Sequence, residues 1–464
     1  MKKFFGLMFA VVAIVGFTAC ESNFEGETNT PVVNGVREFV ASFDETRTAL
    51  ADLNVVWSEG DKISVNDSVF ELVEGAGSTV ARFVLVEGNN PVVAPFTAVY
   101  PANATSLAAN VAEGTFANGA NIAVAVGEDT NLIFNNVLSV LKFQVPQACS
   151  NITVEAEQPV LGDFTVNADG TITAAGNGSK TISLDGNFVT GKTYYTTLFP
   201  QTTSLVIRID GYLSSEKDSK AMNGNKIYNL NTLPAPKVSE ISIIGSMTNN
   251  WSFSDKVPMY EDNNGYYVIK NFQLDADATF KFVGTSDTGW TGIKFNYGSG
   301  ATLDASNAYR IWSNGGDNTN KTAGKYDIYF SEAKGYFFLV AAGTTVVDNT
   351  IKLVSDAYGF VGNFNGNNWD TNVSMYVNGK YLAAKGVKFN STTAEYKIRQ
   401  LNSWNNGEQF GQAHTTGYAP GYAIIIDGSN NFKFNSVSTS KVYDIYTNFN
   451  KTTVVESGAI ANLE

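Results

Sequence analysis

Residues 205–210 read Leu-Val-Ile-Arg-Ile-Asp, and residues 325–330 read Lys-Tyr-Asp-Ile-Tyr-Phe. In the first stretch Leu205, Ile207 and Ile209 alternate with Val206, Arg208 and Asp210. In the second, Tyr326, Ile328 and Phe330 alternate with Lys325, Asp327 and Tyr329. A period of two sends successive side chains to opposite faces of an extended chain, so each stretch reads as a strand with one face turned to a core. No window of comparable quality carries the 3.6-residue period of a helix. Asp169-Gly170, Asn223-Gly224, Asn378-Gly379 and Asp427-Gly428 fall between such runs, and these pairs suit tight hairpin turns. The fold class predicted is all-β, with several domains built as β-sandwiches from antiparallel hairpins.

Composition agrees. The 464 residues suggest three or four domains at about 150 residues each. Charged residues are only 16%, below the roughly 25% of ordinary domains, while aromatics reach 12%. Lys and Arg number 31 against 44 Asp and Glu, a net charge of −13. So acidic a chain is repelled by phosphates, and no nucleic-acid partner is expected.

Lys2 and Lys3 precede an apolar run from Phe4 to Phe17, so residues 1–19 read as an export signal. The run is too short to span a bilayer, which needs about 20 apolar residues. Phe17-Thr18-Ala19-Cys20 resembles a lipobox, which implies cleavage before Cys20 and a diacylglycerol on its thiol. The alternative is an ordinary signal peptide with an incidental cysteine. Multiple acyl chains anchor a protein stably while the polypeptide stays in water. Residues 20–35, with three glutamates and no periodicity, read as a lipidated flexible tether. Acidic residues so placed resemble the surface-export signal of Gram-negative glycan degraders. The expected location is the cell outer membrane, lipid-anchored and facing the exterior. Only Cys149 remains beyond Cys20, so no intrachain disulfide is expected.

The Pro-rich stretch 231–238 (NTLPAPKV) reads as a linker between two halves, 36–235 and 238–464. Trp57 is the one tryptophan before it; Trp251, Trp290, Trp312, Trp369 and Trp404 follow. The second half repeats itself. Ile243-Ile244-Gly245, Asn249-Asn250-Trp251, Met259, Phe280-Lys281-Phe282 and Trp290 return as Phe360-Val361-Gly362, Asn367-Asn368-Trp369, Met375, Tyr396-Lys397-Ile398 and Trp404. Equivalent tryptophans lie 118 and 114 residues apart, a domain-sized period, which gives tandem domains at 238–350 and 355–464.

Thr46-Arg47-Thr48, Val56-Trp57 with Gly60-Asp61-Lys62-Ile63, Tyr100-Pro101, Leu161-Gly162-Asp163-Phe164, Phe199-Pro200 and the closing 224–230 make the first half resemble the fimbrillin-like cell-surface lipoproteins. The resemblance implies a pair of transthyretin-like sandwiches with a boundary near 130. The repeated segments of the second half resemble the SusE/SusF-like outer-membrane starch-binding lipoproteins. That implies two immunoglobulin-like carbohydrate-binding modules. It further implies non-catalytic binding of starch or another glucan beside a TonB-dependent transporter of a polysaccharide-utilisation system. The rival reading is a fimbrial subunit or tip adhesin that assembles by strand addition.

A pyranose offers an apolar face and a rim of hydroxyls, so its receptor needs a flat, partly exposed ring beside forked donors and amides. Trp290 and Trp404 follow strands and sit among loop residues, which makes them the leading platforms. Trp251 and Trp369, just after a strand and a turn, are candidates for binding or for plugging a core; Trp312 is balanced between the two. Trp57 alternates with Val55 and reads as core. The period of two turns Lys281, Lys397 and Arg399 outward, towards ligand or simply towards solvent. Tyr297, Asn296, Asn405 and Asn406 lie just past the leading tryptophans, where they are candidate sugar partners or ordinary turn residues.

No enzyme is expected. His414 is the single histidine, and no Ser-His-Asp arrangement or zinc set can be built around it. A glycosidase needs only two carboxylates, but no acid/base motif is recognisable. Asp317 and Asn318 lack the spacing of an EF-hand loop, so no metal or other cofactor is expected.

Overall fold

The computed structural model describes residues 35–457, apart from 44–54, 89–91, 118, 348–349, 354–357, 370–372, 379–380, 394, 401–408, 413–423, 427–430, 434–436 and 448–451. The export signal, Cys20, Trp404, Asn405 and Asn406 lie outside the described residues. The chain is all-β and multi-domain, as the alternation predicts.

The first module is a closed seven-stranded barrel, where the resemblance implied a sandwich of two sheets. The strand Glu38–Phe43 pairs antiparallel with Val80–Glu87 and parallel with Asn131–Asn136, which closes the ring. Lys62–Val65 and Ser68–Glu74 are joined by Asn66 and Asp67, both at positive φ (43° and 67°), the conformation a two-residue hairpin demands. Trp57 fills the barrel centre, fully buried, stacked on Phe43 at 4.2 Å and edge-on to Phe83, Phe134 and Tyr100. Its indole N–H donates to the Thr79 carbonyl at 3.2 Å, so the ring is buried without an orphaned donor. Tyr100 in turn donates to Asp61 at 3.0 Å. Trp57, Asp61 and Tyr100, scattered in sequence, therefore meet as one structural knot.

The second module packs two four-stranded sheets face to face. One contains Ser139–Gln144, Tyr194–Leu198, Lys226–Thr232 and Ala112–Glu113; the other contains Cys149–Ala156, Thr181–Phe188, Gln201–Ile209 and Tyr212–Met222. Leu205, Ile207 and Ile209 point inward and are buried, as their alternation requires. Phe164 meets Phe199 edge-on at 6.0 Å, bringing two more of the sequence motifs together.

The linker is shorter and better fixed than its composition suggests. Strands end at Thr232 and resume at Val238, and between them Leu233 is buried and the Pro234 carbonyl accepts from the Ser214 hydroxyl at 2.7 Å. Beyond it one ladder runs through Tyr267–Leu274, Gly324–Ser331, Tyr336–Ala341, Asn307–Arg310 and Lys352–Leu353 into Tyr376–Asn378, Tyr381–Val387, Tyr443–Thr447 and Thr452–Glu456. The bridging step is Asn307–Arg310, antiparallel to Tyr336–Ala341 and parallel to Lys352–Leu353. One hydrophobic cluster likewise crosses the repeat junction, joining Tyr266, Val268, Tyr329 and Phe338 to Leu353, Phe360, Met375 and Val377. Gly324–Ser331 is consequently buried on both faces. Tyr326, Ile328 and Phe330 point into the core of their own repeat, while Asp327 and Tyr329 are covered on the face the alternation left open.

Candidate functional site: an aromatic shelf on the first repeat

Val238–Gly245 delivers the chain to a tight turn. Gly245 has no room for a side chain, since a Cβ there would lie 2.2 Å from the Thr279 carbonyl oxygen. Its own carbonyl accepts from the Thr248 and Trp251 amides at 3.0 and 2.9 Å, which folds 246–251 back on the strand end. Asn249, Asn250 and Trp251 all take positive φ, at 46°, 55° and 69°. Asparagine tolerates this region; a bulky aromatic does so only when its surroundings impose it. Trp369 shares the φ of 69°, with its amide 3.4 Å from the Gly362 carbonyl, but there the turn is made by Asn365 and Gly366 at positive φ, and Asn367–Asn368 pair back on Asn363–Phe364.

The turn sets Trp251 beside Trp290, with ring centroids 6.0 Å apart and planes inclined by 50°. Phe253 completes the group, edge-on to Trp290 at 5.0 Å. Trp290 is 46% exposed and Trp251 half-buried, so the cluster forms a shelf and not a sealed core. The Trp290 loop is held by Asp287, whose buried carboxylate accepts from the amides of Gly284, Lys294 and Phe295 at 2.8, 2.9 and 3.3 Å. Lys256 donates to the carbonyls of Asp287 at 2.6 Å and Phe253 at 3.3 Å.

The structure brings Trp251 and Trp290 together and distributes the other candidates elsewhere. Tyr297 packs against Phe295 and Phe330 and donates to Glu332 at 2.5 Å. Burial and that bond push its phenol above the usual range. The Asn296 amide donates to Asn314 at 3.1 Å. Trp312 is placed by its backbone, paired opposite Gly298.

The outward cations need correction. The Lys281 side chain is only 15% exposed and lies 3.6 Å from Asp317, while Lys397 and Arg399 are 7% and 2% exposed. Burial draws the Lys397 ammonium below its usual pKa. All three leave the face opposite the buried Phe280, Phe282, Tyr396 and Ile398, as the period predicts, but that face is covered. Asn318 is also buried, its side-chain oxygen accepting from the Ser299 amide and hydroxyl.

Phe253, Lys256 and Asp287 escaped sequence reasoning. The aromatic pair Trp251-Ser252-Phe253 was a visible signal; nothing in the pattern marks Lys256.

A second concavity of about 750 Å³ lies where the second module meets the repeats. Its charges satisfy one another. Arg208 donates to Asp262 at 2.7 Å, Glu155 at 3.1 Å and Asn263 at 3.1 Å, and Lys270 donates to Tyr329 at 2.6 Å and Asp327 at 3.3 Å. Tyr212 lies 4.2 Å from Tyr260 with its ring tilted by 40°, and accepts from the Lys270 amide. The arrangement fastens two modules.

No family model and no curated protein matches the chain. Similar solved structures include a candidate cell adhesion protein from Bacteroides ovatus, 15% identical over 42% of this chain and 93% of its own, with a TM-score of 0.28. A candidate cell adhesion protein from Bacteroides uniformis is also 15% identical, over 43% and 93%, with a TM-score of 0.27. A fimbrial protein from Bacteroides ovatus is 10% identical, over 52% and 67%, with a TM-score of 0.21.

Proposed function

We propose that the chain is a surface-exposed, non-catalytic adhesion protein of the fimbrial kind, which holds carbohydrate on the Trp251–Phe253–Trp290 shelf. The carrying observation is that shelf: three rings gathered on two loops, with Trp290 46% exposed. Inclined apolar ring faces beside backbone amides and hydroxyl-rich turns match the alternating apolar and polar surfaces of a sugar. The fimbrial element of the reading is supported by the first half, whose fimbrillin-like motif residues Trp57, Asp61 and Tyr100 come together in the barrel.

A second reading makes the same shelf part of a glucan-uptake system beside a TonB-dependent transporter. The observation favouring it is duplication: Trp369, like Trp251, follows its strand at φ 69° with its amide turned to the strand-end glycine carbonyl, and tandem weak sites gain avidity on a polymer. A lipid anchor on Cys20, facing outward from the outer membrane, serves both readings.

Affinity electrophoresis against starch, other polysaccharides and host-type glycans tests the proposal. Retardation that disappears in Trp290→Ala supports it; no retardation on any of them removes the carbohydrate. Strand-exchanged polymers of the purified protein would favour the fimbrial reading, and a monodisperse, glucan-retarded protein the uptake reading.

A further inference from the structure

Beside the shelf, Asp287 is buried and Lys256 half-buried, with its ammonium engaged by two backbone carbonyls. The Asp287 carboxylate gathers both ends of the loop that carries Trp290. One oxygen accepts from Gly284 and Phe295, the other from Lys294, so residues 285–294 are closed on a single buried charge. Gly284 makes the approach possible, because a Cβ there would lie 2.6 Å from the same carboxylate. Lys256 then ties this loop to the other one. Its ammonium bonds the Asp287 carbonyl, 31 residues along the chain, and the carbonyl of Phe253, whose ring it faces at 5.8 Å.

We infer that Lys256 and Asp287 are positioning residues that fix the spacing and tilt of the Trp251, Phe253 and Trp290 rings before a ligand arrives. The inference deepens the carbohydrate reading and rests on it only for the ligand. Rings on two separate loops stack on one sugar chain only if the loops keep their relative place, and fixing them beforehand removes an ordering cost from binding. One ammonium bridging two carbonyls does this with directed, charge-assisted hydrogen bonds. Methionine at position 256 keeps most of the stem and removes the bridge; arginine keeps the donors.

The test uses the full chain as Lys256→Met, Lys256→Arg and Asp287→Asn, each also combined with Trp290→Phe so that the difference isolates Trp290 fluorescence. Iodide quenching of that share and retardation on the polysaccharide that retards the parent are the readouts, with thermal melting as the control for folding. Lys256→Met and Asp287→Asn should raise the Trp290 quenching constant about twofold and weaken retardation severalfold, with melting little changed in Lys256→Met and lowered in Asp287→Asn, whose amide leaves a backbone donor of the loop unmatched. Lys256→Arg should restore both. Folded Lys256→Met and Asp287→Asn proteins that keep the parent's quenching and retardation would overturn the inference. Should Lys256→Met fail to fold, Asp287→Asn and Lys256→Arg are read by the same two measurements. If no polysaccharide retards the parent, the carbohydrate reading falls, and the quenching result alone decides the positioning role.

Discussion

Trp57 and Trp290 are the same residue with opposite fates, and the difference is set by their neighbours. Trp57 is enclosed by four aromatic rings and bonded through its indole nitrogen. Trp290 touches two rings and presents nearly half its surface. Trp57→Ala should therefore cost about 3–5 kcal/mol of stability, the range for a large core truncation, and leave carbohydrate affinity unchanged. Trp290→Ala should leave melting nearly unchanged and weaken binding to a retarding polysaccharide about tenfold, equivalent to about 1.4 kcal/mol. Denaturation monitored by circular dichroism and calorimetry on the folded variants separate the two outcomes; a Trp290→Ala protein of parental affinity would place the ligand elsewhere. Lys397 and Arg399 show where residue-scale reading stops. Alternation correctly puts them opposite Tyr396 and Ile398, but a period of two reports which face a side chain leaves by and not what packs over that face.

At the scale of elements, the duplication is more exact in the structure than the tryptophans suggested. Lys270 bonds Asp327 and Tyr329, and Lys385 bonds Asp444 and Tyr446 in the same way. In each repeat the lysine precedes a residue at positive φ, Asn271 at 54° and Gly386 at 71°, where the strand register shifts and the residue's amide donates to the same aspartate. The signal was present in the sequence as the identical tetrapeptide Tyr-Asp-Ile-Tyr at 326–329 and 443–446, and alternation alone treated it as one more strand. Asp327→Ala leaves a buried ammonium without its carboxylate and should cost about 3 kcal/mol, measurable by denaturant unfolding. Burial pulls Lys270 down, but Tyr329 and Asp327 outweigh it and hold the ammonium above its ordinary pKa; Lys385 follows the same balance with Tyr446 and Asp444. Both folded values exceed the unfolded value of about 10.4, so their stabilisation is complete below that pH and is lost as pH rises through the folded values. Melting temperature should fall more steeply above about pH 10 in the parent than in Asp327→Ala. Gly245→Ala should also be destabilising, because its Cβ would meet backbone, and Gly362→Ala should match it with a Cβ 2.3 Å from the Glu395 carbonyl oxygen.

For the molecule as a whole, the all-β class was legible because it follows from local periodicity, while the two halves and the tandem repeat are expectations drawn from composition and self-similarity. How the repeats join was not legible, because it depends on pairing between distant segments that carry no local mark. A division at 350–355 remains a proposal for where one repeat gives way to the next, and it suggests two bodies that fold alone. The ladder through Asn307–Arg310 and Lys352–Leu353 argues for coupled folding instead, as does the burial of Tyr329 and Phe338 against residues of the second repeat. Cutting there would expose Val268, Tyr329 and Phe338 on one sheet face, an apolar patch of the kind that soluble domains seldom leave open. Each fully exposed side chain of this size forfeits about 1.5–3 kcal/mol of burial, a large fraction of the 5–15 kcal/mol that holds a domain together. Residues 238–464 should therefore unfold in a single calorimetric transition, whereas 238–350 expressed alone should melt markedly lower or associate. Two well-separated transitions in 238–464, or a fragment 238–350 that melts at the temperature of the longer chain, would show that the shared face contributes little and that each repeat is self-sufficient.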